Sequence, residues 1–525
     1  MKSSSLAKAG KVGTLATAAA VFALGGAPAA DAHDGLTVAD VPNANPKFGI
    51  QNNVLTPSAT QTSVAWGNLP LTNPDTANGV THYGYNTLDG APLTQMPDEA
   101  HKTEPDKNVY LVLGGKHYLY QGHETGPRGY VTRINLDEAD PLKRVTLISD
   151  IDTAGNAYPT IDGITWNPFT KQLLLTAESG SPKGGVFAVG LDANGDAVDG
   201  GRAARLPALG SGGYEGIQND ADGNVWIVED IGGAATSGGK VPNSYVYRFV
   251  PNDKTDLTKG GKLQALQIKR ADGSPVTAAQ VQANPSDPFI SQLHTYGTSF
   301  ATAWVTIHTG TTGAFGATEA AKAAAATPLK RPENGVFRPG TGFREFYFTE
   351  TGDTSASSTL PGAYGGVFRI SQKSASADTG RISIVAIGDE QHTGFDNIAF
   401  ATADDLLVVE DAGDGLHTQR NALDSGYVYR LGNDDGHSNR APRPVRFLAE
   451  GRDASAAFDS MSGPSYNDGD NEITGIHVSD GDPTPAGILG AKTPKPLTAT
   501  WRTFWTQQHG DNTTWEITWS GRSRY

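Results

Sequence analysis

The sequence predicts an all-β chain: a six-bladed β-propeller with loop and short helical insertions. Three observations predict it. Short apolar strands recur as similar units along the chain, separated by turns of Asp, Gly, Asn and Pro. Gly 64 and Pro 31 punctuate a chain of 525 residues, long for one ordinary domain but not for one closed β architecture. Helical signal is scarce, the best candidate being ATEAAKAAAATP (317–328), which Pro328 should end.

In chain order, the opening MKSSSLAKAGKV is basic, a short apolar run follows, and Ala30-Asp31-Ala32 fits a cleavage pattern. Residues 1–32 therefore read as a secretory signal, and 33–525 as one propeller domain of an extracellular protein. Four segments then align: 158–179, 213–230, 330–351 and 394–411. Each opens on an acid beside a small or amide residue (Asp162, Glu215, Glu333, Asp396) and closes on another (Glu178, Asp230, Glu350, Asp411). The acid-to-acid intervals are 16, 15, 17 and 15 residues. A fifth unit, 108–124, keeps the second half and ends on Glu124. A degenerate sixth has Glu472 in the first acid position and His509 or Asp511 near the second. The blades fall roughly at 105–140, 155–195, 212–252, 328–373, 394–432 and 470–520. VTHYGYN (80–86) is expected to pair with the last blade and close the ring, hiding free edges. Residues 252–275 and 433–470 read as loops.

In a propeller, equivalent positions of successive repeats converge on one channel mouth. The nine acids Glu124, Asp162, Glu178, Glu215, Asp230, Glu333, Glu350, Asp396 and Asp411 would meet there. So many carboxylates cannot all ionise without cations, because like charges raise one another's pKa. The chain has no cysteine, hence no disulfide framework and no thiolate site. Oxygen ligands point to Ca²⁺, Mg²⁺ or Mn²⁺ before zinc. Loss of Lys2, Lys8, Lys11 and Asp31 with the leader takes the formal charge from −15 to −17. That argues against nucleic acid and anionic membranes as partners, and no apolar run is long enough to span a bilayer.

Other motifs yield less. DANGDAVDG (192–200) and DADGN (220–224) resemble calcium-loop fragments without the downstream glutamate, and read as turns. Phosphate-loop spacing, G-x-S-x-G and H-E-x-x-H are absent. Of 12 histidines, His123, His477 and His509 stand beside repeat ends.

The segments QGHETGP (121–127), YEGI and GNVWIVED within 214–230, KRPEN (330–334), FDNIAF and LLVVEDAGDG within 395–415, and TQQHGDN (506–512) resemble the PhoX-type alkaline phosphatases. The likeness covers most of the mature chain and keeps the segment order. It implies a secreted phosphomonoesterase, a six-bladed propeller with iron and calcium at one channel mouth. By the same resemblance Glu178, Glu215, Glu333 and Asp411 match metal-ligand acids, and Arg331 matches a phosphate-contacting arginine. Two departures stand out. The family's iron-ligating cysteine has no counterpart, so Fe³⁺ lacks its thiolate and Ca²⁺ is the expected cofactor. The leader has lysines and no Arg-Arg, where the family commonly uses a twin-arginine signal.

The expectation is thus a monomeric, calcium-dependent phosphomonoesterase acting on small phosphate esters, with Arg331 catalytic. A lactonase-like hydrolase on the same fold, or a non-catalytic calcium-binding propeller, are the alternatives.

Overall fold

The structure, a computed structural model, describes residues 35–43, 52–85, 103–124, 128–311, 315–431, 441–451, 472–508 and 512–521. The expected leader, His509 and Asp511 lie outside them.

Six strands line the centre: Pro105–Leu113, Ile161–Asn167, Tyr214–Asn219, Pro332–Phe337, Phe395–Phe400 and Glu472–Ser479. Each packs on the next and the sixth packs on the first, so they form a closed ring. Behind each, the chain runs outward as an antiparallel meander, and the arrangement is propeller-like. Apolar cores fill the wedges between neighbouring meanders. Between the third and fourth, Trp226 meets Trp304 edge-to-face at 5.1 Å and Phe337 at 5.2 Å.

The expectation of six separate blades is corrected by the hydrogen bonding. The described strands form four separate sheets of four to six strands, one nine-stranded sheet and a two-stranded hairpin. The cause is Phe300–Gly310, which at 11 residues is long enough to pair on both sides. It bonds along Gly261–Ile268 on one side and through Phe300–Ala303 to Thr379–Ile382 on the other. Two outer edges that would otherwise stay open are thereby covered. The nine-stranded sheet curls until its end strands, Tyr214–Asn219 and Pro332–Phe337, pack on each other, which nearly closes it as a barrel.

Closure of the ring uses a different strand from the one expected. Ala59–Ala65 pairs with Thr514–Trp519 at the outside of the last sheet. Val80–His82 instead pairs with Pro70–Asp75, which joins the first sheet parallel to Val145–Ser149. The stretch 252–275, expected as a loop, contains the strand Gly261–Ile268, and 433–470 contains Val445–Ala449. The helix Ala317–Ala323 ends before Pro328 is reached, and Gly413–Arg420 adds a helix that the sequence did not reveal. Among the described residues, no helix is long and apolar enough to cross a membrane.

One end of the channel is closed by the segment 480–494. Its Gly481 carbonyl accepts from Val112 N–H and its Pro483 carbonyl from the Trp166 indole. Ile488 and Leu489 insert into the apolar clusters on either side of Phe337 and Val336. The other end carries the acids.

Candidate metal centre

All six inner strands share one irregularity. The pairing of each with its neighbour slips within the first turn of the strand, at Pro105/Asn108, Ile161/Ile164, Tyr214/Ile217, Pro332/Gly335, Phe395/Ile398 and Thr474/His477. Such a bulge inserts an extra residue and re-aims a side chain. The residue first into the bulge is Asp106, Asp162, Glu215, Glu333, Asp396 and, in the sixth strand, Gly475. All five acids are buried.

In the second to fifth strands the following residue is glycine or asparagine (Gly163, Gly216, Asn334, Asn397), and the strands approach closely here. A Cβ on Gly163 would lie 2.3 Å from the Glu215 carbonyl. The bulge leaves main-chain carbonyls to be satisfied by other groups. Thr176 donates to the Glu215 carbonyl and Thr349 to that of Asp396, each from the preceding unit.

The second row of acids stands just past the ends of the adjoining strands. In register with one another are Glu124, Glu178, Asp230 and Asp411, with Thr351 and Gln507 completing the row. Carboxylate oxygens of Glu178, Glu215 and Asp230 lie within 4.8 Å of one another, and so do those of Asp106, Glu124 and Asp162.

Glu350 is not part of that row. It is the register equivalent of Glu229 and Glu410, one residue earlier, and successive strand residues face opposite ways. Its carboxylate accepts from Lys330 N–H and faces His294 Nε2, both at 2.9 Å. Glu229 binds Thr318 and Tyr247, and Glu410 binds Thr393 N–H, Ser425 N–H and Arg420. These three acids brace loops. Glu472 likewise stands three residues before the bulge position of its strand, which Gly475 occupies.

Asp106 is the acid that the sequence reading missed. Its strand begins at Pro105, and PDKN (105–108) repeats the Pro-acid opening of PEN (332–334).

Electrostatics sharpen the picture. Burial, then repulsion from other acids of the ring, pushes Asp106, Glu124, Glu215, Glu333 and Asp396 well above the usual carboxylate range. Glu178 is pushed up to about 8 by burial, then by Asp230 and Asp162. Asp162 Oδ1 and Asp230 Oδ1 are buried without a hydrogen-bond partner. An all-oxygen donor set with two orphaned carboxylate oxygens fits a hard cation such as Ca²⁺. It offers no thiolate.

Arg331 lies at this mouth. Its chief partner is Asp230 of the preceding unit, with Nε donating at 2.6 Å, whereas Glu333 is 3.7 Å away. A second N–H reaches Thr354 Oγ1 at 3.3 Å. The side chain stays 21% exposed. Its φ of +57° is a strained left-handed value held from both sides. Pro332 follows it, and Thr351 N–H binds its carbonyl at 3.0 Å. The adjacent Lys330 is structural, its ammonium 2.7 Å from buried Asp353.

The remaining motifs have structural roles. Asp192 and Asp220 cap their own turns, each accepting main-chain N–H groups two and four residues on. His123 sits between Thr103 and Thr132, and His477 accepts from Tyr110 N–H. Burial pushes both imidazoles down to about 3.

A family model described as Alkaline phosphatase PhoX matches residues 215–485. No curated protein matches the chain significantly. Among solved structures, PhoX of Pseudomonas fluorescens in complex with vanadate, a transition state analogue, shares the fold at TM-score 0.55 and 12% identity. The match covers 92% of this chain and 98% of that one. The gluconolactonase XC5397 of Xanthomonas campestris (11% identity, 90% and 99% covered) has a TM-score of 0.35. The periplasmic gluconolactonase PpgL of Pseudomonas aeruginosa (14% identity, 74% and 99% covered) has one of 0.31. Both are too distant to bear on fold or function.

Proposed function

The chain belongs to the PhoX alkaline phosphatase family, and from that premise we propose that it is a calcium-dependent phosphomonoesterase acting on small phosphate esters at the acid-lined mouth. One observation carries the reading: two rows of carboxylates converge there, beside an arginine clamped by one of them. Glu178, Glu215 and Asp230 would hold cation, with Asp162, Glu124, Asp106, Glu333, Asp396 and Asp411 completing the ring. When bound, divalent cations supply charge neutralisation and Lewis-acid polarisation of the phosphoryl group.

Arg331 is the group we assign to the phosphate itself. Asp230 fixes the guanidinium through Nε, which leaves the outer N–H groups to meet a phosphoryl oxygen as charge builds in the transition state. The interlock of Lys330, Asp353 and Ser358 fixes the loop that carries Thr354, its second partner. Among the described residues the segment 480–494 covers the opposite end, so ester and products would share the acid-lined mouth.

We further read 33–525 as one domain. Residues 1–32 act as an export leader for a monomeric, extracellular product.

The test is metal analysis of purified protein, alongside p-nitrophenyl phosphate hydrolysis before and after chelation and after calcium return. Calcium-restored turnover, inhibited by vanadate, is expected. Calcium-loaded protein inert to every phosphate ester tried would overturn the reading and leave a binding protein.

A further inference from the structure

We infer that Lys107 is an internal cation that takes the place of one metal ion in the ring, in the sector of the sixth strand. The inference rests on reading the mouth as a metal centre. Five inner strands present an acid at the bulge, while the sixth presents Gly475. No side chain could replace that glycine. Its φ is +60°, and a Cβ would lie 2.6 Å from both the Asp106 carbonyl and Asn108 Nδ2. A metal ion in this sector would therefore lack the ligand that every other strand supplies.

Lys107, next to Asp106 in the first strand, is buried at 3% exposure, and its Nζ donates to Asn397 Oδ1 of the fifth strand at 2.7 Å. It thus reaches across the sector of the sixth. Asn397 passes the neutralisation on, because its Nδ2 lies 3.0 Å from Asp106 Oδ1 and 2.8 Å from Asp396 Oδ2. Asn334 Nδ2 adds a donor to Asp396 Oδ1 at 3.3 Å. The acids of this arc are provided with fixed donors. On the opposite arc, Asp162 Oδ1 and Asp230 Oδ1 have none. The protein thereby confines metal to the side of the first three strands, where both carboxylate clusters lie, and meets the sector of the sixth with its own ammonium.

Counting ions tests this without reference to turnover. Wild type, Lys107→Met and Lys107→Arg would be equilibrated with calcium, freed of excess and analysed by mass spectrometry for calcium per chain. Lys107→Met should hold one ion more than wild type, and Lys107→Arg, which keeps the charge, should match wild type. Equal counts in wild type and Lys107→Met, or an extra ion in Lys107→Arg, would overturn the inference while leaving the metal centre standing. A wild type with no calcium would remove both. Should the variants not fold, anomalous diffraction from terbium-soaked wild-type crystals decides. Peaks among Glu178, Glu215 and Asp230 and none beside Lys107 Nζ are expected, and a peak within coordination distance of Nζ overturns it.

Discussion

The two ends of the channel are built from the same six strands and could hardly differ more. At the mouth each strand carries a bulge, which in five of the six holds an acid and in the sixth Gly475. At the far end the strands run regularly into apolar residues such as Phe337 and Phe400, and the segment 480–494 is packed into the opening. The closed end is stabilised by burial of Ile488 and its neighbours, a non-directional gain of roughly 25 cal/mol per Å². The open end concentrates carboxyl groups whose mutual repulsion is relieved by cations, fixed donors or protonation. One end therefore holds the ring together, and the other is left poised to bind.

Each prediction presses on this contrast, and the largest effect concerns the mouth. Glu215→Ala combined with Asp411→Ala should abolish bound calcium and the rise in Tm on adding it. That rise is worth about 4 kcal/mol at a thousandfold excess over Kd. Without metal, the same variant should melt no lower than wild type, since it has lost buried like charges. Calorimetry with and without chelator checks both signs, and a calcium-dependent Tm in the double variant would sink the assignment.

Next comes Arg331→Ala, which should lower kcat by about a hundredfold, roughly 3 kcal/mol, with the calcium count unchanged. Arg331→Lys should recover only part, because it keeps the charge and loses the planar fork. Unaltered turnover per folded molecule would assign Arg331 to structure alone.

At the closed end, Ile488→Ala should cost about 2 kcal/mol through lost burial and a residual cavity. Its calcium affinity should not move. Denaturant melts paired with calcium titration would read both, and weakened calcium binding would show that the two ends are coupled.

The smallest effect comes from a carboxyl pair at the outer strands of the first sheet, away from the channel axis. Burial, then repulsion from Asp75, pushes Asp150 up to about 6, with Arg128 at 3.9 Å opposing. The folded state thus holds this proton more tightly than the unfolded chain, where 3.8 is the ordinary value. Stability is lost as pH rises from about 4 to about 6 and stays lost above that. Asp150→Asn should flatten this step and gain about 1 kcal/mol at pH 7, a value reduced for partial solvation. Tm profiles across pH 4 to 7, with and without calcium, would show a calcium-independent difference if the pair stands apart from the metal centre.

The propeller-like arrangement and most of the mouth were legible from residues alone. An acid before glycine or asparagine marks four of the six bulges, because the acid needs the turn towards the axis and its neighbour needs the close approach. Asp106 was passed over because the charges of KTEPDKN hide where its strand begins. Glu350 was included because one residue separates the row facing the axis from the row facing the loops, and a one-residue slip in a strand reverses its facing.

Sequence by itself determined the chemistry available to this protein: oxygen donors in repeating pairs, no thiolate, and Arg331 two residues before Glu333. Tertiary structure decided how those groups were used. Arg331 binds Asp230, 101 residues away, in preference to nearby Glu333. Lys107 reaches Asn397 across 290 residues, and Phe300–Gly310 joins two meanders into one sheet. The physical reason is the same in each case. Local spacing specifies which face a side chain takes, but its partner is chosen by ring closure, which brings together strands that no sequence window contains.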